Sequence, residues 1–418
     1  MLLVTLSLVW VISARETKIY DEFLIRNLKF ELLAIFNQSV IQFITIISLL
    51  FILGRNNIPK LFVFSYFASL FLFVLFERLM FRKILERIRK RGRNLRSILF
   101  VGSDETSLSL FESIKENPQL GYKVKGFLND FKIESLNGQY IGKVKELEKI
   151  LSIEKIDNVL INAKQFTTDE LENLIKISEK YTTRVRLIHG SKNYTNANSA
   201  LSIFDRFDIV SVHQDHLYSS HWRFVKRTFD IIFSSLVIIC VFPFTWPFIA
   251  IAIKLDSKGP ILYKQERWGR SNKKFQTLKF RTMKNQFGSD QYVKASLNDP
   301  RITRVGRFLR KNNLDELPQF INVLKGDMSV VGPRPHPTKL NLQAKNKVRN
   351  YMLRHLVKPG ITGWAQINGF RGEIKDEYLL QKRTEYDLWY IENWSLALDL
   401  KIIFITIIKT LTGDPNAY

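Results

Sequence analysis

The first hundred positions are dominated by long apolar runs that short polar stretches interrupt. Residues 40–53 and 61–76 are mostly apolar and carry no charge, and the polar segment between them contains Gly54 and Pro59, which favour a turn. Each run is slightly shorter than the ~20 residues that a membrane-spanning helix needs, but flanking residues can extend it. The pattern therefore predicts a hairpin of two transmembrane helices.

A dense basic segment follows this hairpin, with nine lysines and arginines between Arg78 and Arg96. Because basic loops stay on the cytoplasmic side, the tight turn of the hairpin is predicted to be extracytoplasmic. The apolar run 1–13 is too short to span a membrane alone and lacks the basic segment of a signal peptide. We expect it to be the inner end of a helix whose earlier part is missing from this chain.

Residues 98–222 alternate between short apolar strands and amphipathic helices, which predicts a Rossmann-like parallel α/β sheet. A dinucleotide site needs three glycines in the first strand-to-helix turn, and here only Gly102 is present. Asp104 and Glu105 in the same turn would repel phosphate. We therefore expect a degenerate nucleotide-binding fold that does not bind NAD.

A third apolar segment, residues 231–253, is long enough to cross a bilayer but contains Pro243 and Pro247. Each proline removes a helical hydrogen bond and kinks the helix. Basic residues lie on both flanks, so charge asymmetry gives no direction of crossing. We favour a re-entrant helix that enters the membrane from the cytoplasm and returns to it. A kinked spanning helix is the alternative, and it would place the rest of the chain outside the cell.

Two adjacent acids, Asp315 and Glu316, lie within a field of arginines. The arginines of this field are Arg301, Arg304, Arg307, Arg310 and Arg334. Neighbouring carboxylates repel each other unless a cation holds them, and arginine suits forked contacts to phosphate. The pattern indicates chemistry on a phosphate ester, although an isolated pair of this kind is more often part of a solvated charged helix. Pro318 favours a helix from near Asn313–Asp315 to Val323, or a simple helix break.

The overall charge and composition narrow the class of partner. The formal net charge of +24 favours anionic lipids or phosphorylated substrates, and the apolar spans favour a membrane over nucleic acid. The single cysteine, Cys240, excludes an intrachain disulfide. His336 and His355 have no metal-ligand spacing and are interpreted as surface or structural residues.

Four motifs in order give a family resemblance: KRTFDIIFSS, GPILYKQERWGRSNKKFQTLKFRTM, DPRITRVGRFLRKNNLDELPQFINVLKGDMSVVGPRP and VKPGITGWAQINGFRGE. The chain resembles the bacterial polyprenyl-phosphate hexose-1-phosphate transferases, a class of monotopic phosphoglycosyl transferase. Its upstream part resembles the large subclass, which usually has four N-terminal transmembrane helices where this chain shows two and a fragment.

The resemblance implies transfer of a hexose 1-phosphate from a UDP-sugar to undecaprenyl phosphate, with release of UMP. It assigns Asp315 as the nucleophile that forms a covalent phosphosugar intermediate, and Glu316 as the residue that helps to hold Mg²⁺. Splitting one transfer into two displacements is the usual logic of covalent catalysis.

The resemblance also suggests residues that contact the phosphates or the nucleotide. These are Arg310, Arg334, Lys279, Arg281, Arg304, Asn368 and Arg371. Lys279 and Arg281 could equally belong to a solvated strand edge. Pro243 is the expected structural kink in the membrane.

The predicted architecture is a membrane α/β protein with three parts: transmembrane helices over 1–97, a Rossmann-like domain over 98–222, and a mainly α catalytic domain with a re-entrant helix over 223–418. In the last part, Trp389, Tyr390 and Trp394 suit the headgroup level, and 395–411 is predicted to lie at the interface or to be an ordinary buried helix.

We expect the bacterial inner membrane, with the catalytic domain on the cytoplasmic face, and a first step of exopolysaccharide, capsule or O-antigen synthesis. UDP-glucose or UDP-galactose is the leading donor, and an N-acetylhexosamine is the alternative. A non-enzymatic membrane scaffold or regulator is a further alternative, whereas an NAD-dependent epimerase lacks its Tyr-x-x-x-Lys pair. Whether the chain forms a homo-oligomer is left open.

Overall fold

The computed structural model describes residues 2–17, 28–54, 59–131, 138–191, 207–213, 215–284, 299–370, 372 and 376–412. The chain divides into two compact units. The first comprises residues 1–175 and 184–212, and the second comprises residues 176–183 and 213–418.

Three helices begin the first unit: α1 (Leu2–Glu16), α2 (Leu28–Ile52) and α3 (Lys60–Lys90). Within the described part of the chain, α2 and α3 are the two straight helices long and apolar enough to cross a membrane. The predicted pair of candidate spanning helices is therefore confirmed. The basic segment is not a loop, since α3 continues through it to Lys90.

Polar side chains join α1 to α2. The Gln38 amide donates to Ser13 Oγ at 2.8 Å and to the Trp10 carbonyl at 3.3 Å. One turn further along, the Gln42 amide donates to the Leu6 carbonyl at 3.3 Å. Amide groups that bridge helices in this way are typical of association in an apolar environment.

The first unit also contains a six-stranded sheet with strand order β3-β2-β1-β4-β5-β6. Its elements are β1 (Arg96–Val101), α4 (Glu105–Glu116), β2 (Tyr122–Leu128), β3 (Tyr140–Gly142), α5 (Leu147–Ile153), β4 (Asn158–Asn162), α6 (Thr168–Lys180), β5 (Arg184–Ser191) and β6 (Phe207–Ser211). All pairs are parallel except β5 with β6. Buried Phe100 and Phe127 stack at the centre, as expected for parallel strands that are covered on both faces. The predicted parallel α/β sheet is confirmed.

The turn after β1 is filled by the protein itself. Gly102 has a positive φ of 78°, and the Ser103 N–H donates to Gln165 Oε1 at 2.8 Å. The Gln165 amide in turn donates to the Ser103 carbonyl at 2.6 Å. A phosphate at this turn would have to displace the Gln165 side chain, in addition to facing the carboxylate of Asp104.

The second unit begins with a bent pair of helices, α7 (Ser220–Cys240) and α8 (Phe242–Asp256), which meet at an angle of 63°. Pro243 lies in the first turn of α8, where its missing N–H leaves no bond unmade. The Thr245 hydroxyl and the Thr245 backbone N–H both donate to the Val241 carbonyl, at 2.9 and 3.0 Å, so the chain stays hydrogen-bonded across the break. Large apolar side chains are exposed along both helices, among them Phe224, Leu236, Ile239, Phe244, Phe248, Ile251 and Leu255.

The remaining strands and helices of the second unit follow α8 in the chain. They are β7 (Leu262–Trp268), β8 (Lys274–Phe280), α9 (Arg304–Lys311), α10 (Gln319–Lys325), β9 (Ser329–Val331), α11 (Thr338–Lys347), β10 (Gly360–Thr362), α12 (Trp364–Ile367), α13 (Glu377–Glu392) and α14 (Leu396–Thr412). Strands β7 and β8 form an antiparallel hairpin, and β9 and β10 form a short parallel pair.

A buried carboxylate, Asp399, ties these helices together. It accepts from Lys226 Nζ at 2.6 Å, from the Tyr390 hydroxyl at 2.8 Å and from Trp394 Nε1 at 3.2 Å. The prediction that Tyr390 and Trp394 lie at the headgroup level is therefore wrong, because both side chains are buried against this acid. Trp389 alone of the three is exposed, and α14 presents an apolar outer face.

Gly306 fixes the approach of α9 to the end of β8. A Cβ atom at this position would overlap the Thr282 carbonyl group, whereas at Gly269 the nearest atom would lie 3.3 Å away. We expect Gly306→Ala to destabilise the second unit by about 1–3 kcal/mol, as overpacking does, and Gly269→Ala to cost clearly less. Thermal unfolding in detergent would show a lower midpoint for Gly306→Ala. Equal midpoints for the two variants would contradict this packing.

Candidate active site

The acid pair lies on a short 3₁₀ turn, Leu314–Glu316, between α9 and α10. The chain enters the turn through Asn313, whose positive φ of 58° reverses its direction after α9. The predicted single helix is thus divided, since Pro318 immediately precedes a separate seven-residue α10. Asp315 is 8% exposed and Glu316 is 6% exposed. The pair is therefore buried, which is not what a solvated charged helix would show.

Two cationic side chains contact the Glu316 carboxylate. Lys279 Nζ, from β8, lies 2.7 Å from Glu316 Oε1 and 3.8 Å from Asp315 Oδ2. The Arg334 guanidinium makes a forked contact with Glu316, with Nη2 at 2.8 Å from Oε1 and Nη1 at 3.3 Å from Oε2. Burial strengthens such charge-assisted contacts. The structure thus brings Lys279 and Arg334 to the pair.

Arg310 approaches from the last turn of α9. Its Nε donates to Thr282 Oγ1 at 2.9 Å, which fixes the guanidinium beside the end of β8. Its positive charge acts on Asp315. Arg310 is therefore a third predicted cation at the site.

The electrostatics of Asp315 are set mainly by burial. Loss of water raises the pKa of the Asp315 carboxyl group above its ordinary value, and the negative charge of Glu316 raises it further. Lys279, Arg310 and Arg334 act in the opposite direction and favour the ionised form. The result is a poorly hydrated carboxyl group whose negative charge three neighbouring cations partly offset.

Arg281 lies elsewhere. Its guanidinium donates to the carbonyl groups of Ser257 at 2.6 Å, of Ile253 at 3.3 Å and of Lys258. These groups are at the end of α8, where helical carbonyls lack partners within the helix. The structure therefore gives Arg281 the role of a helix cap and does not bring it to the acid pair.

The structure gives two further predicted positions other surroundings. Arg304 is exposed at the first position of α9. The Asn368 amide donates to the Trp364 carbonyl at 2.8 Å and closes α12. Arg371 lies outside the described residues.

Two polar residues that the sequence analysis missed position the site. Thr282 holds Arg310, and Asn322 of α10 joins its helix to β8. The Asn322 side chain accepts from the Leu278 N–H at 2.9 Å and donates to the Gln276 carbonyl at 2.8 Å. A signal did exist for Asn322, because it is a single amide within the otherwise apolar stretch 320–324.

The two histidines are buried, so their interpretation as surface residues is wrong. Burial lowers the pKa of His355 to about 3 and holds the pKa of His336 well below its ordinary value. Both are neutral at physiological pH. The structural interpretation is the one that fits these positions.

The donor set at the pair suits a hard divalent cation. Mg²⁺ commonly binds one or two carboxylates and completes its shell with water and substrate phosphate oxygens. Asp315 and Glu316 supply two carboxylates, and no group of three or more acidic, histidine or cysteine side chains that could hold a metal occurs among the described residues. Asp315 and Glu316 therefore fit Mg²⁺ that is bound jointly with a phosphorylated substrate.

The sequences of known proteins that resemble this chain support a membrane-associated enzyme that acts on phosphorylated substrates. Residues 221–413 match the bacterial sugar transferase family, and residues 15–188 match a CoA-binding domain. The chain is 38% identical to the UDP-glucose:undecaprenyl-phosphate glucose-1-phosphate transferase of Escherichia coli (strain K12), over 77% of this chain and 69% of that protein. It belongs to the bacterial sugar transferase family, as the four motifs predicted.

Two other relatives bear on the substrate. The protein of the same name from Klebsiella pneumoniae is 39% identical, over 84% of this chain and 75% of its own length. The UDP-N-acetylgalactosamine-undecaprenyl-phosphate N-acetylgalactosaminephosphotransferase of Aeromonas hydrophila is 38% identical, over 56% of each chain.

Because the pKa of Asp315 is raised, replacing this residue with neutral asparagine should increase thermal stability in a pH-dependent way. The folded protein binds the Asp315 proton more tightly than the unfolded chain does, so ionisation destabilises the fold. This penalty develops as the pH rises from the ordinary aspartate range through the raised pKa. We expect Asp315→Asn to have a higher thermal midpoint than the wild type at neutral pH, with a difference that shrinks on acidification. A difference that grows on acidification would contradict the assignment.

Proposed function

We propose that this enzyme transfers hexose 1-phosphate from a UDP-sugar to undecaprenyl phosphate through a covalent intermediate on Asp315. The single observation that carries the proposal is the buried acid pair with three converging cations, Lys279, Arg310 and Arg334. A carboxylate so placed can attack a phosphorus atom whose oxygens are neutralised by its neighbours.

The first displacement forms the intermediate. An Asp315 carboxylate oxygen attacks the sugar-linked phosphorus, and the bond from that phosphorus to the bridging oxygen breaks, so UMP leaves. In the second displacement, an oxygen of undecaprenyl phosphate attacks the same phosphorus and the bond to Asp315 breaks. The products are undecaprenyl-diphosphate-sugar and the free carboxylate.

The other residues act on charge. Lys279 and Arg334 hold the Glu316 carboxylate, and Arg310 reaches the same region from α9. Glu316, with Asp315, is the group that would hold Mg²⁺, which would neutralise charge on the diphosphate when bound. Lys279 and Arg334 also lie where they could contact the phosphate oxygens of the diphosphate.

The relatives from Escherichia and Klebsiella support glucose 1-phosphate as the transferred group. The resemblance in the motifs leaves galactose 1-phosphate as a second possibility. An N-acetylhexosamine donor is the alternative that the Aeromonas relative supports. We assign the reaction to the start of exopolysaccharide, capsule or O-antigen synthesis, because the product is a lipid-linked first sugar.

The bent pair α7–α8 is proposed to be a re-entrant hairpin in the inner membrane, with the catalytic unit on the cytoplasmic face. Its exposed apolar side chains suit lipid, and the 63° bend allows the chain to return to the side of entry. On α9, Phe308 is 62% exposed between the exposed basic residues Arg307 and Lys311. Such a mixed surface suits the headgroup region.

The reaction predicts a donor-specific release of UMP that requires the nucleophile. We expect Asp315→Asn to lose UMP release by at least about 10³-fold, as removal of a nucleophile does. Asp327→Asn changes a partly buried aspartate just after α10, so it is the matched control and should stay close to wild type. The assay uses a panel of UDP-sugars with Mg²⁺ and undecaprenyl phosphate. When undecaprenyl phosphate is omitted, a sugar-labelled donor should leave label on the wild-type polypeptide only. Release of UDP in place of UMP would exclude this chemistry.

The membrane topology can be tested with the single cysteine. Cys240 lies at the bend, so a re-entrant hairpin should bury it from impermeant maleimide on both sides of the membrane. In a Cys240→Ala background, Lys258→Cys should react only in inverted vesicles, and Pro59→Cys should react in intact cells. Labelling of Lys258→Cys in intact cells would show that α7 and α8 span the membrane.

A further inference from the structure

A buried polar cluster lies directly behind Arg334 and takes no part in the proposed chemistry. Its members are His336, Asn341, Tyr351, Arg354, Arg383 and Asp387, all of them buried. Two buried arginines so close to a neutral histidine are costly unless every donor has a partner. The contacts of this cluster show what the arginines hold.

Arg354 connects α13 to the backbone of Arg334. Its Nε lies 2.7 Å from Asp387 Oδ2, and its Nη2 donates to the Arg334 carbonyl at 2.8 Å. Asp387 fixes the guanidinium from one side, and the guanidinium fixes the peptide group of Arg334 from the other. A lysine would lose the planar fork that spans these two partners, since its donors all radiate from one compact ammonium group.

Arg383 performs the same task for a second segment. Its Nε donates to the Phe370 carbonyl at 2.6 Å and its Nη2 to the Gly372 carbonyl at 3.1 Å. Its Nη1 lies 3.2 Å from His336 Nε2. Arg383 therefore connects the backbone of Phe370 and Gly372, after α12, to His336, which lies two residues after Arg334.

His336 lies between the two arginines. Its Nδ1 lies 2.9 Å from Arg354 Nη1 and 2.6 Å from the Tyr351 hydroxyl, which donates to Asn341 Oδ1 at 2.7 Å. Its Nε2 lies 3.2 Å from Arg383 Nη1. Burial and the arginines around it keep the pKa of His336 low, so the neutral form persists.

We propose that Arg354 is a positioning residue that sets the Arg334 guanidinium on Glu316, and that His336 links this arrangement through Arg383 to the backbone of Phe370 and Gly372. The inference rests on the proposed function, because it assumes that Arg334 acts in UMP release. The fork of Arg334 on Glu316, at 2.8 and 3.3 Å, depends on where its backbone lies. A displacement of about 1 Å is enough to cost a large factor in rate.

A double-mutant cycle separates positioning from general structural support. The variants are Arg334→Ala, Arg354→Lys and the double variant, and the readout is single-turnover UMP release by the full chain with saturating donor. We expect Arg334→Ala to lower the rate by about 100-fold and Arg354→Lys by about tenfold. If Arg354 acts through Arg334, the double variant should be within about twofold of Arg334→Ala.

Arg227→Lys is the matched control. The Arg227 guanidinium also donates to backbone carbonyl groups, those of Val323 and Leu324 at the end of α10, but it does not touch the Arg334 segment. In the double variant, the fold-losses in UMP release caused by Arg227→Lys and by Arg334→Ala should multiply. Thermal midpoints of all variants show whether each protein is folded at the assay temperature.

Two results would overturn the inference. Multiplication of the Arg354→Lys and Arg334→Ala effects would make Arg354 a structural residue only. Unchanged UMP release in Arg334→Ala would remove the role of Arg334 and its positioning together, while Asp315-dependent release would still support the reaction. If Arg354→Lys does not fold, His336→Gln takes its place in the same cycle, and an effect that is absent in the Arg334→Ala background is again the expected result.

Discussion

The catalytic unit is organised around one electrostatic requirement, the burial of two neighbouring carboxylates. Two carboxylates with little water around them would move apart or take up a proton unless neighbouring cations balanced their charge. Lys279 from β8, Arg310 from α9 and Arg334 after β9 come from three different elements and meet at a single short turn. The packing of those elements, through Gly306, Asn322 and Asp399, serves to keep the three cations at this point.

Local patterns were sufficient to predict the parts of this structure that local forces decide. The α2–α3 helices, the parallel sheet, the break between α7 and α8 and the acid pair all follow from stretches of sequence that can be interpreted one at a time. The cations Lys279, Arg310 and Arg334 were also identified, because they occur in motifs that resemble those of a known family.

The parts that the sequence could not supply depend on partners that are distant along the chain. Arg281 and Lys279 look alike in the sequence, yet Arg281 caps α8 and Lys279 contacts the acids. Tyr390 and Trp394 have the composition of an interfacial belt, and only the buried carboxylate of Asp399 places them inside. A polar tip on an apolar ring suits a headgroup or a buried acid equally well, so composition alone does not choose between them.

The cap on α8 has a mechanical consequence. Arg281 is bonded to the last carbonyl groups of the helix that is proposed to return from the bilayer, and it lies two residues after Lys279 in the chain. In the proposed topology, a tilt of that helix would be transmitted through Arg281 to the strand that carries Lys279. Lipid thickness and curvature would then be physical variables of turnover, and the host bilayer would act as a part of the enzyme.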